Sequence, residues 1–395
     1  MKFHAFHFLP YADVDFDFRD KGQKTLWMFH KHRFDPETCA DYYERYFDEL
    51  ELAGTLGYDG VCVNEHHQTP HSLMPAPNII AAALSQRVKR GRISILGRAL
   101  PLVPNPLSVA EEWAMLDNMT RGRLNVGMVR GIGVEYHASN INPVESNDRY
   151  IEAHDLIVKS WVEEGAMTFQ GKYYENRHFA IFPRTYQQPH PPIWIPSGGN
   201  RGTIDWAAHP DRRYTYLQFF NNTYEAVRAN LGLYKEIARE KYGYTAQPGQ
   251  LGWAVPTYVA RTDEEAIDLA RPHLEALFND FMAMTPELLF PPGYVPAEAM
   301  VQIMKNKPLG GRSGGRTTIE QIMAGGMVHI GSPETIRAKI RQARDEIGLG
   351  ELLPMLHFTT MSAPQTRENI EMYAAEVMEP LRAEFVATPE TVTGR

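Results

Sequence analysis

Cysteine is almost absent from this chain, with 2 among 395 residues. Cys39 and Cys62 stand in apolar stretches and match neither a disulfide framework nor a zinc-binding spacing, which indicates a reducing compartment. No apolar run approaches the length of a membrane span. The N-terminus resembles a first strand more than a signal peptide. The sequence therefore predicts a cytoplasmic protein with no membrane partner.

An excess of basic residues is also missing. The net charge is -8, from 40 lysines and arginines against 48 aspartates and glutamates. This balance argues against a nucleic-acid-binding surface. The locally basic segment 87–92 is predicted to be a solvated turn. The hydrophobic fraction of 43% and charged fraction of 22% are ordinary for a globular enzyme.

Strand-like and helix-like segments alternate along most of the chain. Repeated units of this kind give parallel strands with right-handed crossovers. Eight units without a break in composition predict one domain, 1–395, folded as an α/β (β/α)8 TIM barrel; an open doubly wound sheet is the alternative. The predicted strands are 3–9, 58–64, 92–100, 123–129, 192–197, 214–219, 251–260 and 352–358.

Three segments interrupt this rhythm. Residues 10–36 form a long loop rich in aromatic residues, and residues 166–190 are predicted to be a small β insertion. Residues 285–326 are rich in proline and glycine, and long irregular stretches inside a compact domain are often functional. We predict a lid there, between the seventh and eighth strands, with a plain surface loop as the alternative.

A carboxylate and three imidazoles follow the predicted second strand. Glu65, His66, His67 and His71 lie where α/β enzymes carry reacting groups, at the carboxyl end of a strand. A general acid or base is one interpretation, since histidine exchanges protons near neutral pH. A metal site and a buried, hydrogen-bonded histidine are the alternatives, although other strand ends offer few further ligands.

Two glycine-rich strand ends suggest an anion site. Arg130 stands between glycines after the fourth strand, and arginine binds phosphate through two parallel hydrogen bonds. A structural pair with Glu135 is the alternative. The turn after the fifth strand precedes a helix, and backbone N–H groups at such a turn bind anions. Its residues are Ser197, Gly198, Gly199, Asn200, Arg201, Gly202 and Thr203. Gly97, at the end of the third strand, would let a flat ring approach the backbone.

Taken together, these motifs resemble the bacterial luciferase-like flavin monooxygenases. The resemblance runs from Phe3 to about Leu381, and its motifs are specific to the superfamily but not to a substrate. It is carried by Asn64-Glu65-His66-His67, the segment 108–127, Arg130-Gly131, Arg149 with Glu152, the segment 192–199 and the segment 329–334.

The resemblance implies a (β/α)8 barrel that holds reduced FMN at its C-terminal mouth. Arg130, Gly131 and the turn 197–203 would hold the phosphate. Asn64 and Val129 would border the flavin ring, and the Gly97–Arg98 peptide, at the position of a cis bond in luciferase, would lie against it. His66 would be the catalytic acid or base, oriented by Glu65 or His67, and 285–326 would match the mobile lid.

Three departures limit the comparison. The loop 10–36 is much longer than in luciferase and would shape the substrate pocket. Val129 stands where luciferase has a cysteine, so no thiol is expected beside the flavin. The turn 197–203 is one residue longer, which leaves open whether Asn200, Arg201 or Thr203 meets the phosphate.

The resemblance thus implies a two-component FMNH2-dependent monooxygenase. A separate NAD(P)H:flavin reductase would supply FMNH2, and molecular oxygen would be activated as a flavin C4a-peroxide to oxygenate a small, weakly polar organic substrate. An F420-dependent hydride-transfer enzyme and a non-enzymatic FMN-storing barrel are the alternatives. A homo-oligomer, either a dimer or a dimer of dimers, is expected through the helices predicted at 76–89 and 107–119.

Overall fold

The computed structural model describes residues 1–18, 22, 25–27, 34–297, 300–301 and 316–387. Its strands alternate with helices as the sequence predicts. The strands are β1 (Lys2–Phe6), β2 (Gly60–Val63), β3 (Arg92–Ala99), β4 (Leu124–Val129), β5 (Met167–Gln170), β6 (Glu175–Phe179), β7 (Ile193–Ser197), β8 (Thr215–Gln218), β9 (Leu251–Val259), β10 (His329–Gly331) and β11 (Glu351–Met355).

Eight parallel strands close into a barrel in the order β1-β2-β3-β4-β7-β8-β9-β11. The ring is complete because β11 pairs with β1, with Lys2 opposite Glu351, while β8 pairs with β9. Such closure leaves no free sheet edge. The predicted (β/α)8 barrel is confirmed, and the open doubly wound sheet is wrong.

Helices surround the barrel. They are α1 (Pro36–Thr55), α2 (Pro77–Arg87), α3 (Pro106–Thr120), α4 (Gly133–Ser139), α5 (Ser146–Val162), α6 (Arg201–Ala208), α7 (Tyr224–Glu236), α8 (Asp263–Ala276), α9 (Pro286–Leu289), α10 (Ile319–Ala324), α11 (Pro333–Ile347), α12 (Ala363–Met372) and α13 (Glu379–Ala387).

Local sequence signals account for many of these helix starts. The side chains of Asp35, Asn105 and Asn200 accept hydrogen bonds from first-turn N–H groups of α1, α3 and α6. Proline follows the cap in α1 and α3, where its missing N–H is not needed. Wider π-helical turns extend α7 to Lys241 and α8 to Phe281.

The strand side chains alternate between two cores. In β1, Phe3 and Ala5 pack with the surrounding helices, whereas Phe6 packs inside the barrel with Cys62 and Trp194. Both cysteines are buried and unpaired. In the part of the chain that the structure describes, no helix is long and apolar enough to cross a membrane.

The hairpin β5–β6 is antiparallel and lies within residues 166–190. Glu152 of α5 holds its turn, because its carboxylate accepts hydrogen bonds from the backbone N–H groups of Lys172, Tyr173 and Tyr174 at 2.7–2.9 Å. The short strand β10 pairs with the upper part of β9 and was not predicted. Three residues are too few to show the alternation that identifies a strand.

Candidate active site

The carboxyl ends of β2, β3, β4 and β7 meet at one side of the barrel mouth. Val126 pairs with Ile193, and continuing that register places Arg130 beside Ser197. Along β2, Cys62 faces the barrel interior, so alternation turns Asn64 and His66 to the same side. Asn64 is buried, and its Oδ1 has no hydrogen-bond partner among the described residues.

Glu65 lies in a closed network of ions. Its Oε1 is 2.9 Å from Nε2 of His67, and its Oε2 is 2.7 Å from a guanidinium nitrogen of Arg98. The same Oε2 accepts the N–H of Ala99 at 3.2 Å. Burial opposes ionisation of Glu65, but the hydrogen bonds and charges of His67 and Arg98 outweigh it and lower its pKa. The hydrogen bond to Glu65 raises the pKa of His67.

His66 faces a different carboxylate. Its Nδ1 lies 3.5 Å from Oε1 of Glu135, and this nitrogen is buried without a hydrogen bond. Of the His66 side chain, 21% remains exposed at the mouth. The expectation that Glu65 or His67 orients His66 is therefore wrong. Successive residues of an extended segment point in opposite directions, so Glu65 and His67 share one side and His66 takes the other.

Glu135 was not predicted as a partner of the histidines. Its Oε2 accepts the N–H of Ile132 at 2.8 Å, and its Oε1 accepts the N–H of His67 at 3.3 Å. Glu135 is the third residue of a helix that begins at Gly133, and its carboxylate reaches back to the N–H of Ile132. Because Ile132 has no side-chain oxygen, the sequence lacks the Ser/Thr-x-x-Glu signal of a capping box and does not indicate this role.

Arg130 stands apart from the ion pairs. The structure describes no carboxylate within ion-pair distance of it, so the alternative pair with Glu135 is not formed. One guanidinium nitrogen lies 3.4 Å from Oγ of Ser146 at the start of α5, and Arg149 follows one turn later. Tyr294 lies against the Arg130 guanidinium at 4.6 Å. A cation with hydroxyl neighbours and no counter-ion is suited to an anionic ligand.

The turn 197–203 follows β7, which pairs with β4, the strand that leads to Arg130. Ser197 is half-buried, and Gly198 has open space where a side chain would stand. Gly199 has a φ of +109° and packs against Asn230, which only glycine allows. Asn200 caps α6, because its side-chain oxygen accepts the N–H of Thr203 at 3.1 Å. This oxygen and this N–H are therefore already hydrogen-bonded to each other. Arg201 is exposed at the first position of the helix.

Gly97 of β3 and Gly127 of β4 let the backbones of these two strands approach closely. A side chain at Gly97 would lie 2.5 Å from the backbone of Gly127, so both positions exclude one. The cis peptide bond joins Leu96 to Gly97, not Gly97 to Arg98 as expected. The expected position was one residue too late. Arg98 points its guanidinium into the Glu65 network. Val129 is half-buried at the end of β4.

Residues 288–294 of the 285–326 segment lie on the Arg130 side of the mouth, whereas α10 (Ile319–Ala324) packs against α8. Helix α9 contacts the start of α4, where Gly133 leaves room for Leu289 and Pro291. The hydroxyl of Tyr294 donates to the carbonyl of Gly131. Residues 298–299 and 302–315, which complete the predicted lid, lie outside the described residues, as do 19–21, 23–24 and 28–33 of the 10–36 loop.

One cluster on the outer side of the barrel has metal-ligand composition. Ligand atoms of His7, Glu49 and His357 lie within 4.8 Å of one another. However, Nδ1 of His7 accepts the N–H of Leu9 at 2.8 Å, so its proton is on Nε2 and is donated to Glu49 at 2.9 Å. The other Glu49 oxygen accepts from Arg45 at 2.7 Å. Hydrogen bonds thus already use the atoms of His7 and Glu49 that would bind a metal.

A family model described as luciferase-like monooxygenase matches residues 25–350. The chain belongs to the luciferase-like monooxygenase family. The resemblance inferred from the sequence motifs is therefore confirmed over most of the chain.

Individual relatives of the family agree with this assignment. The oxygenase component of a flavin-dependent trigonelline monooxygenase from Acinetobacter baylyi is 28% identical over 182 residues, which cover 43% of this chain and 48% of that one. The alignment thus spans about half of that relative, so its activity is not transferred by similarity alone.

Solved structures share the fold at low identity. The oxygenating constituent of 3,6-diketocamphane monooxygenase from Pseudomonas putida, in complex with FMN, has a TM-score of 0.68 at 18% identity, with 95% of this chain and 98% of that one covered. An F420-dependent secondary alcohol dehydrogenase has a TM-score of 0.62 at 16% identity, with coverages of 95% and 98%. The fold therefore accommodates both cofactor types.

Proposed function

We propose that this protein is the oxygenase component of a two-component monooxygenase. It would receive reduced FMN from a separate NAD(P)H:flavin reductase and use molecular oxygen to oxygenate a small, weakly polar organic substrate. The observation that carries the proposal is the pairing of an unneutralised Arg130 beside the turn 197–203 with an accessible His66 across the same mouth.

The side chains at the mouth fit FMN. Arg130, Ser197 and the open backbone at Gly198 offer a cation, a hydroxyl and N–H groups to a phosphate. The unpartnered Oδ1 of Asn64 can accept a hydrogen bond from a ring N–H of the flavin. Gly97, Arg98, Val129 and Gly131 line the strand ends between these two groups. Asn200 and Thr203 would act mainly by holding the turn, and Arg201 would add positive charge.

When bound, reduced FMN supplies the electrons that activate oxygen. The chain then has three tasks, which are to bind the phosphate, exclude water and move a proton. We assign binding to Arg130 with the turn 197–203, and proton transfer to His66 with Glu135 holding its Nδ1 side. Glu65 and His67 contribute by fixing the ends of β2 and β3. The segments 10–36 and 285–326 would cover the mouth.

The alternative is F420-dependent hydride transfer on the same barrel, which the F420-dependent neighbour supports. The similarity to a flavin-dependent oxygenase component favours the FMN assignment and a reductase partner. The two buried, unpaired cysteines are compatible with a reducing cytoplasm, where we expect the enzyme to act.

We also propose that two copies pair through α2 and α3. Most large apolar residues of these helices, including Ile80, Leu84, Trp113 and Leu116, are buried within the protomer. The apolar residues that remain exposed there are Ile79 at 70%, Met115 at 51% and Met119 at 44%. Such exposed apolar side chains favour an interface. Sedimentation of Ile79→Lys against wild type tests this pairing.

The decisive experiment mixes anaerobic protein and FMNH2 with oxygenated buffer in a stopped-flow instrument. We expect a delay before the absorbance of oxidised FMN returns, because a dry mouth slows the loss of the oxygen-activated state. Reoxidation as fast as that of free flavin, together with F420 binding, would replace the monooxygenase by the hydride-transfer alternative.

A further inference from the structure

Five aromatic or imidazole rings converge at the mouth around the proposed acid or base. They form a ring cluster of Phe8, Trp27, His66, His71 and Phe220. The centroid of Phe8 lies 4.5 Å from that of His71 and 5.7 Å from that of Phe220. The centroid of His66 lies 5.1 Å from that of His71 and 5.7 Å from that of Trp27. Four separate parts of the chain contribute to this cluster.

The rings meet at mixed angles. Two pairs are edge-to-face, Trp27 with His66 at 81° and Phe8 with Phe220 at 76°, and the other four pairs are inclined by 26–48°. Edge-to-face contacts of this kind are favourable between aromatic rings because their faces are negative and their edges positive. Phe8, Trp27, His71 and Phe220 are buried at 3–5% exposure, and the cluster meets the mouth through His66, whose side chain is 21% exposed.

Trp27 is fixed in place by hydrogen bonds. Its indole N–H donates to the carbonyl of Phe281 at 3.0 Å, and its backbone N–H donates to Oγ1 of Thr25 at 3.0 Å. The Thr25 hydroxyl donates in turn to the carbonyl of Ala283 at 2.6 Å. A ring held in this way can recognise a ligand without first losing side-chain freedom.

His71 adds an unsatisfied polar group to this apolar surface. The residue is 3% exposed, and its Nδ1 has no partner among the described residues. Burial, and then the neighbouring His66, hold the pKa of His71 well below its usual value, so its ring is neutral. A neutral imidazole carries one donor and one acceptor. Leaving Nδ1 unpaired in a buried place is unfavourable, and a polar substituent on a ligand would relieve this cost.

We propose that the ring cluster is the substrate-recognition surface and that it selects a planar aromatic or heteroaromatic substrate with a hydrogen-bonding substituent, which His71 contacts. This inference rests on the proposed function and narrows its substrate class. A saturated substrate of equal size would bury similar area but would lack the ring-to-ring attraction.

Calorimetry with two ketones tests the selection directly. Acetophenone and cyclohexyl methyl ketone both carry an acetyl group on a six-membered ring, and only the ring of acetophenone is aromatic. Each is titrated into the protein in the presence of saturating FMN, so that the flavin site is not available to the probe. We expect acetophenone to bind about three- to tenfold more tightly, the size of one aromatic pair. Equal affinities, or no binding of either ketone, would overturn the inference.

Substitutions test which residues cause the preference for the aromatic ketone. Trp27→Leu should remove most of it, whereas Phe34→Leu should keep it, because Phe34 is 49% exposed and contacts Tyr11 outside the cluster. His71→Phe keeps a ring but removes the nitrogens, so it should abolish any gain of 4-hydroxyacetophenone over acetophenone. If Trp27→Leu weakens FMN binding and leaves the ketone ratio intact, the cluster recognises the flavin and the inference is wrong.

The two proposals fail in different ways. Binding ratios are measured without turnover, so a loss of aromatic preference leaves the stopped-flow delay untouched. Conversely, fast free-flavin-like reoxidation would reject the monooxygenase even if the aromatic ketone bound selectively.

Discussion

Two groups of charged residues share the barrel mouth and differ in how completely they are paired. In the first group, Glu65 pairs with Arg98 at 2.7 Å and with His67 at 2.9 Å. In the second, His66 stands 3.5 Å from its nearest carboxylate, and Arg130 has no carboxylate partner among the described residues. The first group is a closed network, whereas the second leaves a base and a cation available.

The difference indicates that the first group has a structural role and the second a role in binding and proton transfer. A buried carboxylate with every oxygen occupied holds strand ends in place but has no capacity left for a ligand. An imidazole and a guanidinium without full partners can exchange a proton or bind a phosphate. The sequence motifs did not distinguish the two groups. Both contain a histidine and an arginine, and each of these stands close to a glycine or a carboxylate in the sequence.

The largest expected effect separates the two histidines. His66→Ala should lower product formation by about 10²–10⁴-fold, the usual contribution of a general acid or base, while FMN binding stays intact. His67→Ala is the matched control and should retain most of the turnover. Coupled assays of product per FMNH2 consumed measure both. Full turnover by His66→Ala would remove it from the mechanism.

The second expected effect concerns stability. Glu65→Gln leaves Arg98 and His67 without their counter-ion, and removing one partner of a buried pair costs about 3–5 kcal/mol. Arg98 and His67 are partly exposed, at 21% and 29%, so solvent reduces the loss to about 2–3 kcal/mol. Urea unfolding measures it. A stability equal to wild type would show that the network is not closed in solution.

The fold was predictable because eight repeated units carry a strong pattern. The contacts of the residues that follow β2 were harder to predict, although the alternation of side chains in an extended segment already indicated part of them. Glu65 and His66 are adjacent in sequence, which suggests a pair, but adjacent residues of an extended chain face opposite ways. The partner of His66 is instead Glu135, 69 positions further on, as counted from the sequence. No local pattern specifies such a contact, since it depends on how α4 packs against the mouth.

A third prediction compares the two arginines. Arg130→Ala should weaken the binding of reduced FMN by about 1.5–3 kcal/mol, the value of a hydrogen bond to a charged group. Arg98→Ala should affect the unfolding free energy more than FMN affinity, because its guanidinium is committed to Glu65. Anaerobic titration gives both affinities. An unchanged affinity in Arg130→Ala would refute the phosphate assignment.

The smallest effect is a pH dependence of stability within the closed network. The pKa of Glu65 is lowered, so its contribution is complete above 4.5 and is lost as the pH falls through its folded pKa. The pKa of His67 is raised, so its contribution is complete below 6.5 and is lost as the pH rises through its folded pKa. The network therefore stabilises the fold most between these two values.

One substitution tests the high-pH limit of this range, where the stabilisation by His67 is lost. His67→Gln should lower the unfolding free energy by less than about 1 kcal/mol near pH 6, since the side chain is partly exposed. The difference from wild type should shrink as the pH rises through the folded pKa of His67, where the imidazole loses its charge. His137→Gln, an exposed histidine without a carboxylate partner in the described part of the chain, is the control. A His67→Gln difference that grows with pH would reverse the sign and show that His67 acts as a neutral donor to Glu65, not as its counter-ion.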